Sequence, residues 1–187
     1  MPKQIIVIAG IETVRDSDGN VLKLSETFMN NARTYKKDHK KDKVVIINAA
    51  DHKDAADPIA SLWDDVCTAF APGTIDELFY TGHSDSYTLY VFSHVRMELD
   101  NYKRLLTCDN DWGNIPLSKD GIIRLGGCQA GGQRGERWVS SIAQVIATKT
   151  EHTVYAFVSR SSQHRRPDGG FYQKPDIKNY IEFTPFK

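Results

Sequence analysis

The sequence lacks the long apolar runs that membrane proteins need. Its longest apolar stretches, such as Ile5 to Ala9 and Val44 to Ile47, are only a few residues long, whereas a membrane-spanning helix needs ~20. The amino terminus also lacks the apolar segment and cleavage site of a signal peptide. We therefore expect no membrane span and a chain that is cytoplasmic as synthesised, which a dedicated secretion system could still export.

Cysteine is scarce, and its pattern excludes two common roles. The 3 cysteines, Cys67, Cys108 and Cys128, form an odd set without repeated spacing, unlike a disulfide framework or a zinc site. A chain of 187 residues buries roughly 70% of its unfolded surface and needs neither for stability. We expect free thiols, no metal and no required cofactor.

An excess of either charge is also missing. The chain has 24 lysines and arginines and 24 aspartates and glutamates, so its formal net charge is zero. Nucleic-acid-binding domains are usually strongly basic, because they neutralise phosphates. The sequence therefore predicts no nucleic-acid partner.

Short apolar strands alternate with amphipathic helices along the whole chain. The predicted strands are Gln4 to Ala9, Val44 to Asn48, Glu77 to Thr81, Gly121 to Leu125 and Thr153 to Val158. The predicted helices are Glu26 to about Lys37 with Ser25 as N-cap, Ile59 to Phe70, and Glu136 to Ala147. Continuously apolar strands indicate a mostly parallel sheet covered on both faces. The predicted fold is a single α/β domain over residues 1–187, a three-layer sandwich with about five or six strands.

The segments between these elements carry turn residues. Glu12 to Val21 predicts a loop or hairpin, and Tyr87 to Phe92 a short additional strand. Residues 100–120 are expected to form a long, partly ordered loop. Gly131 to Gly135 predicts a flexible loop, because glycine restricts the backbone least.

Two predicted strands end on residues that can do chemistry. One ends in Gly82-His83-Ser84 and the other in Gly126-Gly127-Cys128. Ligands of parallel α/β sheets bind outside the carboxyl ends of the strands, so neighbouring strands would bring His83 to Cys128. A thiol attacks only as thiolate, and an adjacent imidazole can serve as its base. The glycines permit close backbone approach and can expose N–H groups to an oxyanion. The pattern predicts a catalytic dyad of His83 and Cys128.

A strand ending in Gly82-His83, followed about 45 residues later by a strand ending in Gly127-Cys128, resembles the caspase-like clan of cysteine peptidases. Within it, the chain is most similar to the self-processing cysteine protease domains of large bacterial toxins, over roughly residues 75–172. The resemblance implies a caspase-like fold and cysteine endopeptidase activity on a polypeptide, with Cys128 as nucleophile and His83 as general base. It also implies an oxyanion hole built from the backbone N–H groups of Ser84 and Cys128. The chain has Ser84 where the family typically has glycine.

The same resemblance implies two further sites. Toxin proteases of this kind are activated by inositol hexakisphosphate at a basic surface. The segment from Arg33 to Lys43, here called the basic run, could therefore bind a polyphosphate through Lys36, Lys37, Lys40, Lys41 and Lys43. The predicted strand that precedes Arg160 corresponds to the strand that borders the primary specificity pocket in this clan. Arg160, Gly126 and Gly127 are therefore the candidate pocket residues.

Two alternatives remain open from the sequence. Gly82-His83-Ser84-Asp85-Ser86 is similar to the nucleophile elbow of α/β-hydrolases, with Ser84 attacking and a later aspartate and His152 or His164 completing a triad. The second glycine of that motif is Ser86 here, and a strand-like segment follows where the elbow needs a helix. The other alternative is a caspase-like module that binds a partner without catalysis.

Overall fold

The computed structural model describes residues 1–15, 21–92, 106–107, 110, 112–132, 141–158, 162–165, 171–174 and 180–186. For residues 12–15, 21–25, 162–165 and 171–174 it describes the backbone alone. Cys108, Arg160 and most of the glycine-rich segment 131–135 lie outside the described residues, so the predictions for them stay predictions.

Thirteen strands and three α-helices are numbered here along the described chain. The strands are β1 (Gln4–Ala9), β2 (Glu12–Arg15), β3 (Val21–Ser25), β4 (Lys43–Asn48), β5 (Ile75–Thr81), β6 (His83–Ser84), β7 (Thr88–Tyr90), β8 (Leu106–Thr107), β9 (Leu117–Leu125), β10 (Thr153–Phe157), β11 (Ser162–Arg165), β12 (Phe171–Lys174) and β13 (Tyr180–Phe183). The helices are α1 (Thr27–Asp38), α2 (Pro58–Thr68) and α3 (Ile142–Thr150).

A six-stranded sheet forms the centre of the molecule, in the order β13-β10-β9-β5-β1-β4. Each adjacent pair from β4 to β10 is parallel, and β13 joins β10 in antiparallel fashion. The order of the parallel strands reverses between β1 and β5, which makes this a doubly wound sheet. The predicted mostly parallel α/β sheet is confirmed.

Helices cover both faces of the sheet, which gives three layers. On one face Phe28 and Ala32 of α1 pack against Ile5 and Val7 of β1. The opposite face packs against α2 and α3 through a larger apolar cluster that includes Ile6, Ile8, Leu62, Val66, Ile142 and Ile146. Alternate residues of β1 are thus buried on opposite faces, as expected for a strand covered on both sides.

The helix boundaries follow their capping residues. Asp57 accepts a hydrogen bond from the Ala60 N–H and precedes Pro58 at the start of α2, a common N-terminal arrangement. Ser141 caps α3 through the Gln144 N–H. The prediction of Ser25 as the cap of α1 is wrong. Ser25 ends β3, and Glu26 occupies the N-cap without a side-chain hydrogen bond.

Strand β9 begins at Leu117, four residues before the predicted start at Gly121. Lys119 and Asp120 are exposed, so this part of the strand has the composition of a loop. Gly121 lies so close to β5 that an added Cβ would be 2.9 Å from the Ile75 carbonyl oxygen. The start of the strand is therefore polar, and a close approach between strands explains its glycine.

Smaller sheets surround the central one. Strands β2 and β3 form the expected antiparallel hairpin, and β11 pairs with β12. Strand β7 pairs with β6 on one side and with β8 on the other. The 106–120 part of the predicted loop contains β8, a short 3-10 helix at Trp112–Asn114 and the start of β9. No α-helix of the described chain is long and apolar enough to cross a membrane.

Candidate active site

His83 and Cys128 lie at the same edge of the central sheet. Tyr80 of β5 is in register with Leu125 of β9, and the Gly126 N–H donates to the Tyr80 carbonyl at 2.7 Å. His83 and Cys128 are each the third residue after that registered pair. The structure therefore brings the two predicted residues to adjacent chain segments at the carboxyl ends of neighbouring strands.

The two segments are in direct contact. The Ser84 hydroxyl donates a hydrogen bond to the Cys128 carbonyl oxygen at 2.7 Å. Gly127 leaves the room for it, since a Cβ on Gly127 would lie 2.1 Å from Ser84 Oγ. The residue after the histidine thus touches the backbone of the cysteine.

Two aromatic residues position His83. The ring of Phe28, in the first turn of α1, meets the imidazole edge-on with centroids 4.9 Å apart. The hydroxyl of the fully buried Tyr80 donates to the His83 carbonyl at 2.8 Å. Gly82 permits this, because an added Cβ would lie 2.2 Å from Tyr80 Oη. Sequence reasoning missed Tyr80 and Phe28, because both read as ordinary core residues.

The Ser84 N–H faces away from β7. In the β6–β7 hairpin His83 pairs with Tyr90 and Ser84 with Leu89, and the Asp85 N–H donates to the Thr88 carbonyl at 3.0 Å. Antiparallel ladders alternate hydrogen-bonded and non-hydrogen-bonded pairs, so Ser84–Leu89 is a non-hydrogen-bonded pair. The Ser84 N–H therefore points away from β7 and is not used in the ladder of this hairpin.

The backbone conformation at position 84 does not require glycine. Among the described residues, positive φ outside glycine occurs at Gln129 (57°) and Glu151 (58°). Ser84 is described and has an ordinary φ, so a side chain at this position is compatible with the backbone. The difference from the family's glycine is therefore no obstacle to the backbone conformation at this position, and the oxyanion role of the Ser84 N–H stays a prediction.

The Cys128 segment is tied to its surroundings on the other side as well. The Gly131 N–H donates to the Phe157 carbonyl of β10 at 2.9 Å, and the Ala143 N–H of α3 donates to the Ala130 carbonyl at 3.1 Å. Gly131 packs closely, since its Cβ would lie 2.7 Å from the Phe183 ring. Cys128 itself is only partly buried and lies in this anchored segment.

Gly126 and Gly127 are buried. Gly126 bonds to Tyr80 and Gly127 packs on Ser84. These two glycines therefore lie inside the contact between the segments, and their role in a substrate pocket stays a prediction.

The geometry disagrees with the serine-hydrolase alternative. Ser84 is followed by a hairpin and not by a helix. His152 precedes β10, and its ring nitrogens face the carbonyl oxygens of Thr150 and Ser118. Ser118 lies near the start of β9, so His152 is at the opposite edge of the sheet from Ser84. A Ser84–His152 triad is not formed, and the side chain of His164 lies outside the described residues.

The basic run lies near the amino-terminal ends of the parallel strands, whereas the dyad lies at their carboxyl ends. Lys36 and Lys37 are in the last turn of α1, and Lys43 opens β4. The side chains of Lys36, Lys37, Lys40, Lys41 and Lys43 are all exposed. Polyphosphate binding there would act across the full length of the strands, and it stays a prediction.

An ion pair between the buried Glu77 and the partly buried Arg124, on the α1 face, was missed by sequence reasoning. Glu77 is 3% exposed, and its Oε1 accepts from Arg124 Nε at 2.7 Å and from the Tyr35 hydroxyl at 2.6 Å. Burial, and next to it the negative charge of Glu77, raise the pKa of Tyr35.

A second tyrosine is also perturbed by this cluster. Burial raises the pKa of Tyr180 to about 12, although the positive charge of Arg124 opposes this. Arg124 also lies over the Tyr155 ring, 5.0 Å from its centroid. The signal in the sequence was a charged residue inside each of two apolar strands.

No group of three or more metal-ligating side chains occurs among the residues whose placement is described. His52, which the sequence places between acidic residues, contacts Ser61 Oγ at 2.9 Å and Asp65 Oδ2 at 3.4 Å. These contacts account for both of its ring nitrogens.

Comparisons with known proteins do not assign a family. No protein-family model matches the chain, and no curated protein matches it. Among solved structures, the chain is similar to the C-terminal domain of the Coenzyme A biosynthesis bifunctional protein CoaBC. The two share 12% identity over 92% of this chain and 86% of that one, with a TM-score of 0.36. A likeness this distant bears on neither the fold nor the function.

Proposed function

We propose that this chain is a cysteine endopeptidase that cleaves a polypeptide, its own or that of a partner, with Cys128 as nucleophile and His83 as general base. The observation that carries the proposal is the contact between the two strand-end segments. Ser84, which follows His83, donates to the Cys128 carbonyl at 2.7 Å. A thiol and an imidazole on such adjacent segments match the requirement of a nucleophile beside its base.

The reaction follows from these roles. His83 takes the proton from the Cys128 thiol, and the thiolate attacks the carbonyl carbon of the scissile peptide. The tetrahedral intermediate collapses to a thioester as His83 returns the proton to the leaving amine. Water then adds to the thioester, with His83 accepting its proton. The carboxylic acid is released and the thiol is restored.

The backbone N–H groups of Ser84 and Cys128 are the proposed donors to the oxyanion. The Ser84 N–H points away from the hairpin and is not used in the β6–β7 ladder, which supports this role. Preorganised N–H donors aimed at developing charge are usually a large contribution to acyl-transfer catalysis. No metal or cofactor is needed for this chemistry.

The resemblance to toxin-borne protease domains supports self-processing as the form of the activity. Such a domain would cut a chain to which it is covalently joined, at high effective concentration. On this proposal the protein acts within a toxin or effector, and export through a dedicated secretion system follows from the same resemblance.

Two classes of covalent inhibitor test the proposal. We expect the purified chain to hydrolyse an unfolded polypeptide such as reduced casein, or itself. Iodoacetamide should stop the hydrolysis, and a sulfonyl fluoride should leave it intact. Inhibition by the sulfonyl fluoride alone would transfer the reaction to Ser84. Absence of hydrolysis, together with an unreactive Cys128, would favour the binding module.

A further inference from the structure

The Ser84 hydroxyl joins the two segments that carry the proposed dyad. It donates to the Cys128 carbonyl at 2.7 Å, across 44 positions of sequence. The serine is partly buried and packs on the backbone of Gly127, where no side chain would fit. The contact is therefore a packed hydrogen bond, and not one between freely moving surface groups.

This bond fixes the backbone at the cysteine. The next residue, Gln129, has φ of 57°, a left-handed conformation that is unfavourable for residues other than glycine. The Gln129 carbonyl in turn accepts from the Gly132 N–H at 2.8 Å. Hydrogen bonds thus hold the peptide groups on both sides of Gln129, one at the Cys128 carbonyl and one at the Gln129 carbonyl. Since the backbone at Cys128 sets the direction of its Cα–Cβ bond, it also limits where the sulfur can reach.

The histidine side of the contact is equally fixed. Ser84 directly follows His83 in β6, and the Tyr80 hydroxyl holds the His83 carbonyl at 2.8 Å. A hydrogen bond from Ser84 to the Cys128 backbone therefore sets the position of one segment relative to the other. Small displacements between nucleophile and base are costly to reaction rate.

We propose that Ser84 is a positioning residue, whose hydroxyl holds the Cys128 segment in register with His83 so that the imidazole can activate the thiol. This inference rests on the proposed function. It gives a role to the serine that stands where the resembling family has glycine. Ser84 acts through the Cys128 backbone and not as a nucleophile.

The test measures the second-order rate constant of Cys128 alkylation by iodoacetamide against pH. We compare the wild type with Ser84→Ala and Ser84→Gly, both of which lack the hydroxyl. Each should slow alkylation near neutral pH roughly fivefold, which corresponds to about 1 kcal/mol, the typical contribution of one hydrogen bond. The variants should differ from the wild type most near neutral pH and least at alkaline pH, where a thiol ionises without an adjacent base.

Thr68→Val is the matched control. The Thr68 hydroxyl also donates to a backbone carbonyl at 2.7 Å, that of Asp64, but inside α2. Its removal should leave the rate constant unchanged at every pH. Circular dichroism establishes whether each variant is folded. If Ser84→Ala does not fold, Ser84→Gly replaces it in the test.

A double-mutant cycle with His83→Ala separates the outcomes. If Ser84 acts through the dyad, its hydroxyl should change the rate less than about twofold once His83 is absent. A hydroxyl effect that persists without His83 overturns the positioning role. The positioning role is also overturned if Ser84→Ala reacts as fast as the wild type. If His83→Ala still slows the reaction in that case, the dyad itself stands. A wild-type rate that does not depend on His83 removes both proposals together.

Discussion

Replacing Cys128 with alanine is expected to abolish peptide hydrolysis. Removing the nucleophile of a hydrolase typically lowers turnover by roughly a thousandfold or more, leaving only the contribution of binding and oxyanion stabilisation. Turnover of casein, or the yield of self-cleavage products, measures the loss. The fold should be retained, since Cys128 is partly exposed and its backbone is held by contacts that an alanine preserves.

Two control variants locate the effect. Ser84→Ala should retain activity to within about tenfold, because the lost hydroxyl contributes one hydrogen bond. His152→Ala should retain full activity, since His152 lies at the opposite edge of the sheet, against the Ser118 carbonyl. Loss of activity in Ser84→Ala with retention in Cys128→Ala would contradict the assignment of the nucleophile.

Replacing Arg124 with alanine is expected to lower the free energy of unfolding by about 3 kcal/mol. Removing one partner of a buried ion pair leaves the other charge without compensation. Glu77 would keep only the Tyr35 hydroxyl as a partner among its described contacts, and its side chain is 4% exposed. Urea-induced unfolding followed by circular dichroism measures the change, provided the slope of the transition is the same in both proteins.

An exposed ion pair provides the matched control. Arg33 pairs with Glu26 at 2.9 Å, but the two side chains are 55% and 70% exposed. Exposed pairs contribute little, so Arg33→Ala should change stability by less than about 0.5 kcal/mol. The double variant Arg124→Met with Glu77→Leu should recover much of the loss, because it leaves no charge unpaired. Equal stability of Arg124→Ala and Arg33→Ala would contradict the role of the buried pair.

The central strands could be predicted from sequence because burial on both faces leaves a plain signal. Strands β1 and β4 and the end of β5 are short apolar runs, and their predicted and observed positions nearly coincide. Strand β9 was only half predicted, because its first residues include the exposed Lys119 and Asp120. The antiparallel direction of β13 follows from tertiary pairing with β10, which its own sequence does not reveal.

The sequence predicts which residues form the site and that they share the carboxyl ends of the strands. It does not predict the contacts between them. Glycine before His83 and before Cys128 marked the two strand ends, and the carboxyl-end rule placed them on one side. That β5 and β9 are neighbours depends on the strand order. The Ser84–Cys128 hydrogen bond and the Glu77–Arg124 pair join residues 44 and 47 positions apart. Such pairs emerge only from the register of the folded sheet.

The most direct measurement of the central claim is the alkylation rate of Cys128 relative to Cys67 in the folded protein. Burial, with Asp64 nearby, raises the pKa of the Cys67 thiol, so Cys67 serves as an internal slow reference. At pH 7 we expect Cys128 to react with iodoacetamide at least about tenfold faster, as measured by peptide mass spectrometry. His83→Ala should slow Cys128 and leave the rate of Cys67 unchanged. A Cys128 that reacts no faster than Cys67, or whose rate is unchanged in His83→Ala, would contradict the dyad.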